Sequence, residues 1–531
     1  MSKKSKLFVK RALVVSLATA IALASSACSK KTSQEKHVGS GEMPETLTVF
    51  APISGNAAKA GAVDRNDILM YQIAEEKTGC HVEWISPTQA AAVEQFNLMI
   101  ASGEYPDIIQ TGWRSIAGGA EQYVNDGVIV ALSDYAEYMP NFTGYLEQHP
   151  NRKAEFVNED GSYYFAPCIR NDDELLVYVG PTIRQDWLDK LGLKMPTNTD
   201  ELYTVLKAFK TQDPNGNGKA DEIPFTGMGG DSAAYGVGNV SEFFGTYYDF
   251  IVKDGKITLG MIQPEMKEAL TYLNKLYKEG LIDPDYLTQD TDTYSSKIMN
   301  DRAGFTFGIQ PSKYYDSMND GTRLLSAVPY FDGKSYNIIY KMGLAGGETA
   351  ITTACKNPEG AAKWLDFFYS QEGIDAFNYG IEGKTYDVVD GKKVLKMEYF
   401  EKNPDGHDRT EMFATTLGIT NTDFAGVQLW DSYSQNLKPW GKEAIKVWTD
   451  SVNFNNIKPN LLLTPEEQEI VNGLLPDMYA YSGTLFNDII VGNKKISELE
   501  NAEKELNKLG LKEVTEIYND AYARYLKANK E

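Results

Sequence analysis

Residues 46–109 open TLTVFAPISG and carry in turn Leu47–Ala51 (LTVFA), Asp67–Thr78 (DILMYQIAEEKT), Cys80–Ile85 (CHVEWI), Val93–Ser102 (VEQFNLMIAS) and Asp107–Ile109 (DII). The first, third and last of these are short apolar, β-branched or aromatic runs, the pattern of strands. The other two are longer, and Phe96, Met99 and Ile100 stand at helical spacing. Strand and helix therefore alternate, which predicts an α/β domain with a mainly parallel sheet. Ligands of such sheets sit beyond the carboxyl ends of the strands.

A second region begins near Arg170. Asn198 with Glu201 makes a capping box, and Leu202, Val205, Leu206 and Phe209 follow at i, i+3, i+4 and i+7, so a helix is expected there. Pro264 opens another over Ala269, Leu270, Leu273, Leu276 and Tyr277, closed by Gly280; Asn357-Pro358 opens a third with Ala361, Trp364, Leu365 and Phe368 on one stripe. Trp187, Trp364 and Trp448 lie on such apolar stripes and are expected in the core. The last 70 residues are charged and helix-rich. No long Pro- or Ser-rich linker separates the regions, so the chain should pass between lobes on short strand-like segments.

At 531 residues, 42% hydrophobic and 24% charged, wholesale disorder is excluded and more than one core is expected. Asp and Glu total 74 against 52 Lys and Arg, a formal charge of −22, the opposite of a phosphate-neutralising surface, so nucleic acid is excluded as a partner. Cys80, Cys168 and Cys355 are far apart with no CxxC spacing and should be buried free thiols. His37, His81, His149 and His407 form no ligand cluster, and HExxH, GxSxG and P-loop motifs are missing.

Residues 1–27 comprise a basic stretch (Lys3, Lys4, Lys6, Lys10, Arg11), an apolar run of 13 residues from Ala12 to Ala24, and Ser25-Ser26-Ala27 before Cys28. The run is short for a membrane span and suits an export signal peptide. Small residues followed by a cysteine resemble the processing site of bacterial lipoproteins, in which Cys28 would carry lipid. Lipoboxes usually have Leu three positions before the cysteine, where Ser25 stands here; ordinary secretory cleavage is the alternative. Loss of residues 1–27 removes five positive charges from −22, leaving −27. Residues 28–45 are polar and Gly- and Ser-bearing, as expected of a flexible, lipid-anchored tether.

The most specific local motif is DPNGNGKADEIP, residues 213–224. An EF-hand-type loop supplies side-chain oxygens at positions 1, 3 and 5, a glycine at 6 and a carbonyl at 7. Asp213, Asn215, Asn217, Gly218 and the Lys219 carbonyl fill these places, and Asp221 and Glu222 can complete the shell. Pro224 stands at position 12 in place of the bidentate Glu, so a structural calcium ion is expected but a paired EF-hand sensor is not. The competing reading is a plain Asn/Gly turn.

Several segments share a pattern: IRQDWLDKLGL (183–193) with Pro196-Thr197, the loop DPNGNGKADEIPF (213–225), Ala101-Ser102-Gly103 with Tyr105–Ile109, KEALTYLNKLYKEGLIDPDY (267–286), Ala303-Gly304-Phe305, and ITTACKNPEGAAKWLDFFYSQEG (351–373) leading to Tyr379–Gly383. Together they resemble extracellular solute-binding proteins of family 1, the receptors of carbohydrate-uptake ABC transporters. The resemblance implies two α/β lobes, each a mostly parallel sheet flanked by helices, with a hinge of crossing segments and a helix-rich C-terminus. By family pattern the chain crosses near Pro167–Asn171, Val328–Phe331 and Tyr379–Gly383. The first lobe is then 46–168 plus 329–379, and the second 169–328 plus 380–531. In the similar calcium-containing oligosaccharide-binding subgroup, Asp213, Asn215, Asn217, Lys219, Asp221 and Glu222 match the ion ligands.

The implied function is capture of an oligosaccharide in the interlobe cleft and delivery, without reaction, to an ABC permease. The protein would be an exported monomer, lipid-anchored to the outer face of the bacterial cytoplasmic membrane. A sugar offers C–H faces for aromatic stacking and a rim of hydroxyls for polar side chains. By position, Trp113 and Arg114 after the PDIIQTG strand end are candidates, with Trp113 as the stacking platform. Arg170, Asn171 and Asp172 on the first crossing, Phe244 and Tyr247, Gln310, Tyr314 and Tyr315 after GFTFG, and Trp430 with Asp431 complete the set. The alternatives are a secreted glycoside hydrolase, which needs paired carboxylates, and a receptor of the same fold for a peptide or other small polar solute.

Overall fold

The structure, a computed structural model, describes residues 41–177, 179–229, 235–309, 318, 320–331, 346–401, 406–419 and 424–529. Its strands are β1 (Thr46–Phe50), β2 (His81–Ile85), β3 (Ile108–Gln110), β4 (Cys168–Arg170), β5 (Val179–Arg184), β6 (Ile223–Phe225), β7 (Phe250–Lys253), β8 (Lys256–Leu259), β9 (Ala303–Ile309), β10 (Leu325–Ala327), β11 (Thr349–Ile351), β12 (Tyr386–Val389), β13 (Lys392–Leu395) and β14 (Gly426–Gln428).

The alternation expected over residues 46–109 is present. β1 pairs in parallel with β2, from Thr46 opposite His81 to Phe50 opposite Ile85, and with β3, Val49 opposite Ile108. β11 closes this sheet, antiparallel to β3, in the order β11-β3-β1-β2. The second sheet, β10-β5-β9-β6, is of mixed direction: β9 and β10 both run antiparallel to β5, and only β6 is parallel to β9. Between β5 and β6 the chain forms two helices, Gln185–Leu191 and Thr199–Thr211, where a parallel neighbour would need one crossover helix. The pair returns the chain to the end it left.

Two buried clusters organise the described residues. The first gathers residues from Leu47 to Ile169 and from Ala350 to Val427; the second runs from Leu176 to Phe331 and from Leu437 to Tyr518. Tyr330 and Phe331 thus pack in the second cluster, and Tyr386, Leu395, Phe400, Phe413 and Leu417 in the first, whereas the expected boundaries put 329–379 with the first lobe and 380–531 with the second. The β12–β13 hairpin and the helices Met397–Glu401 and Arg409–Ala414 explain the difference: their buried faces meet Tyr379 and each other, with Phe400 stacked on Phe413 at 4.0 Å. The last described passage between clusters accordingly falls at Gln428–Trp430, not at Tyr379–Gly383.

Local signals acted as expected in the second cluster. Asn198 accepts the Glu201 amide at 2.9 Å, and Leu202, Val205, Leu206 and Phe209 are buried. The Glu201 carboxylate reaches the Thr197 amide and hydroxyl, at 2.8 and 2.9 Å, one residue further back than a capping box requires. Trp187, Trp364 and Trp448 are each buried, and Cys80, Cys168 and Cys355 are buried free thiols. Gly180 on β5 is needed for its small size: a Cβ there would stand 2.4 Å from the Trp448 ring.

The C-terminal segment touches both clusters. Asn460 donates to Glu155 at 2.9 Å, and Lys527 pairs with Glu159 at 3.0 Å. Glu155 itself forms a buried pair with Arg152 at 2.5 Å. Among the described residues no helix is long and apolar enough to cross a membrane.

Candidate functional site

Strand direction decides which residues meet. Ala166 bridges antiparallel to Thr349, and the Cys168 amide donates to the Gly346 carbonyl, so β4 lies beside β11. β14 pairs in parallel with β4. β3, β4 and β14 therefore all run the same way, with β4 and β14 forming a two-stranded sheet of their own beside the first. Gln110, the last residue of β3, and Ala166 both stand opposite Thr349, so β4 and β14 end four residues, roughly 13 Å, further along than β3. The carboxyl side of such strands is the side on which α/β sheets bind ligands.

At its β14 end, the Arg170 Nε donates to Gln428 Oε1 at 2.7 Å, joining the last residues of β4 and β14. The Gln428 amide donates in turn to the Ile419 carbonyl at 2.6 Å. Asp172 accepts the Trp430 backbone N–H at 2.7 Å, so the two passages between clusters are tied just beyond the strands. Asn378, fully buried, donates to the Val427 carbonyl and accepts from the Leu429 amide, at 2.8 and 2.9 Å. The Tyr379 hydroxyl donates to Asp431 at 2.8 Å; burial and this carboxylate push the phenol well above its usual range, so it stays a donor. Asp431 is exposed, whereas Arg170, Asn171, Asp172 and Trp430 are half-buried.

At the β3 end, Glu348 precedes β11. Because β11 is antiparallel to β3, this places its side chain beyond the end of β3, where the chain turns. Glu348 accepts from the Arg114 Nε at 2.5 Å and from the Arg114 amide at 2.8 Å. The Glu348 side chain is 4% exposed and that of Arg114 21%. Arg114 also lines a gap of about 50 Å³ shared with Phe165, Leu461, Leu463 and Pro465.

The structure sets Arg170, Asn171, Asp172, Trp430 and Asp431 where β4 and β14 end, and Arg114 apart from them, with Glu348 beyond the end of β3. Trp113 is elsewhere. It is fully buried, edge-on to Phe96 and Tyr123 at 5.9 and 5.4 Å, with its indole N–H on the Ile109 carbonyl at 3.2 Å. With no free face it is core, not the stacking platform expected. Tyr247 is likewise buried, against Tyr248 at 4.4 Å, and Phe244 is half-buried against Tyr272 at 5.4 Å. Gln310, Tyr314, Tyr315 and Cys28 lie outside the described residues. Glu348, Gln428 and Tyr379, all buried, support these groups from behind and carry no signal in the sequence beyond the GGE run just before the TAI strand.

In the loop from Asp213, the aspartate takes φ +46° and its carboxylate accepts the amides of Gly216, Asn217 and Gly218 at 3.0–3.1 Å. Asn217 Oδ1 accepts the Lys219 amide at 2.7 Å, and its NH2 turns to Asp221 at 2.9 Å. Glu222 Oε1 is buried without a hydrogen-bond partner. Burial, with Asp213 and Asp221 adding, pushes the Glu222 carboxyl upward. Among the described residues no group of three or more His, Cys, Asp or Glu side chains is drawn together around an ion position. The partnerless Glu222 oxygen suits a hard cation in its chemistry, and half of the six oxygen donors here are amides or a carbonyl.

The model of the family "bacterial extracellular solute-binding protein" matches residues 57–374. The fructooligosaccharide ABC transporter substrate-binding protein FusA of Streptococcus pneumoniae serotype 4 is 29% identical over 508 residues, 91% of this chain and 90% of the relative. The structure of FusA in complex with kestose aligns with TM-score 0.72 at 27% identity, covering 91% of this chain and 99% of that one; a second FusA structure is of an EF-hand mutant in complex with fructo-nystose. The alginate-binding protein AlgQ2, solved without calcium ion, aligns with TM-score 0.68 at 25% identity over 91% of this chain and 98% of that one.

Proposed function

The chain belongs to the bacterial extracellular solute-binding proteins, and from that premise we propose that it captures an oligosaccharide between two lobes and hands it to an ABC permease. The observation that carries the reading is the common direction of β3, β4 and β14, which puts their carboxyl ends on one side. Arg170, Asp172 and Asp431 lie beside half-buried Trp430 where β4 and β14 end, and Arg114 stands beyond β3, so polar groups and an aromatic face, the two kinds of surface a sugar needs, are both at hand. The passages Arg170–Leu175 and Gln428–Trp430 are the hinge. Closure needs no bond to break: a ligand touching both lobes binds the closed state better than the open one and shifts the population toward it.

Binding and release, not hydrolysis, is the activity we assign. Asp213, Asn215, Asn217, the Lys219 carbonyl, Asp221 and Glu222 would hold a calcium ion, which would offset two of the three acidic charges and stiffen the loop next to Arg302 and Asp301. Export by residues 1–27, lipid on Cys28 and a tether to about residue 45 complete the reading: a monomer held on the outer face of the cytoplasmic membrane.

Calorimetry of the chain from Cys28 onward against a set of oligosaccharides tests it, run beside a reducing-end assay. The expected result is one saturable ligand, recovered uncut. Release of new reducing ends at catalytic amounts of protein would refute the reading.

A further inference from the structure

We propose that Glu348 sets the chemical class of the ligand, cancelling the charge of Arg114 so that the site selects neutral oligosaccharides and rejects uronate-bearing ones. The inference rests on the saccharide reading above and deepens it. Kinship does not decide the point, because kestose is neutral and alginate is a polyanion.

A glycan carboxylate, once desolvated, needs a guanidinium free to take it in a forked, two-point grip. Arg114 is not free: its Nε and its backbone amide both point at the Glu348 carboxylate, at 2.5 and 2.8 Å. Glu348 is buried, so an incoming uronate that drew Arg114 away would strand a carboxylate out of reach of water. Arg170 spends its Nε on Gln428. Asp172 and Asp431 add two more negative charges at the passages, each already accepting one hydrogen bond. Two guanidiniums against three carboxylates leave these groups net negative, on a chain whose formal charge is itself −22. Asp172 and Asp431 keep acceptor capacity for hydroxyl groups, and the net charge repels an anion; discrimination of this kind comes from the penalty on the wrong ligand as much as from contacts to the right one.

The test is a glycan array of neutral and uronate-containing oligosaccharides, probed with the chain from Cys28 onward. Calorimetry follows with the best neutral ligand and with trigalacturonate, at two salt concentrations. The wild-type chain should retain neutral glycans only, with affinity indifferent to salt and at least a hundredfold preference over trigalacturonate. Glu348→Gln should narrow that preference tenfold or more and make trigalacturonate binding salt-dependent. In case that variant folds poorly, the double variant Arg114→Gln/Glu348→Gln leaves no buried charge and should keep the wild-type preference. A uronate glycan among the strongest wild-type ligands would overturn the inference while leaving capture of a saccharide intact. So would an unchanged preference in folded Glu348→Gln. Retention of no glycan at all would instead remove the saccharide reading, and the inference with it.

Discussion

Replacing Gly180 with alanine should destabilise the protein by about 2–4 kcal/mol, and the structure says where the cost arises. The new Cβ would lie 2.4 Å from two atoms of the Trp448 ring and 2.6 Å from its nitrogen. Ordinary contact begins near 3.4 Å, so the indole must shift by roughly 1 Å. Trp448 is fully buried, and its N–H donates to the Pro181 carbonyl at 3.1 Å, a bond that such a shift breaks. Overpacking of a tight core costs about 1–3 kcal/mol, and a lost buried hydrogen bond about 1 kcal/mol. Trp448→Phe removes the bulk that the added methyl group would strike, so the double variant should lose at least about 1 kcal/mol less than the sum of the singles. Urea denaturation of all four proteins measures the cycle. If Gly180→Ala falls within about 0.5 kcal/mol of wild type, or the two losses simply add, the packing described for β5 is refuted.

Trp113→Ala should cost about 3–5 kcal/mol as a fully buried aromatic; loss of ligand affinity in a variant of undiminished melting temperature would restore it as a stacking platform. Glu121→Gln should stabilise at pH 7 and not at pH 4, by about 0.5 kcal/mol. Burial and the carboxylates of Glu466 and Asp160 raise the Glu121 pKa, so its contribution is most favourable below the unfolded pKa and is lost as pH rises through the folded value; paired melting curves check the sign. Chelation should lower the melting temperature of wild type and leave Asp213→Ala, already lowered, unmoved; equal responses of both would refute calcium in this loop. Asp172→Ala removes the acceptor of the Trp430 amide and should weaken ligand binding about tenfold with little change in melting temperature, by calorimetry and thermal scans.

What the sequence made legible was local. The first three strands, the Asn198 and Asn357 caps and the tryptophans on helical stripes follow from spacing within about ten residues, and the structure has them. The helix Gln89–Ser102 follows the same logic: Phe96 is buried and Met99 and Ile100 pack against the first cluster, while Val93 and Leu98, off that stripe, stand 70% and 62% exposed. Trp113 follows a strand end, a place equally compatible with a ligand wall and a core; the choice was made by Phe96 and Tyr123, which arrive from separate helices. Glu348 pairs with a residue 234 positions away, and nothing within its own segment announces the partner. The passage at Gln428–Trp430 was hidden for a similar reason, since only the parallel pairing of β14 with β4 shows where residues 380–427 return.

The central claim is that ligand draws two lobes together about the passages beside Arg170 and Trp430. Small-angle scattering of the chain from Cys28 onward, with and without a saturating glycan chosen from the array, addresses it most directly. A smaller radius of gyration in the bound state is predicted. An identical scattering profile at full saturation, confirmed by calorimetry on the same sample, would contradict it.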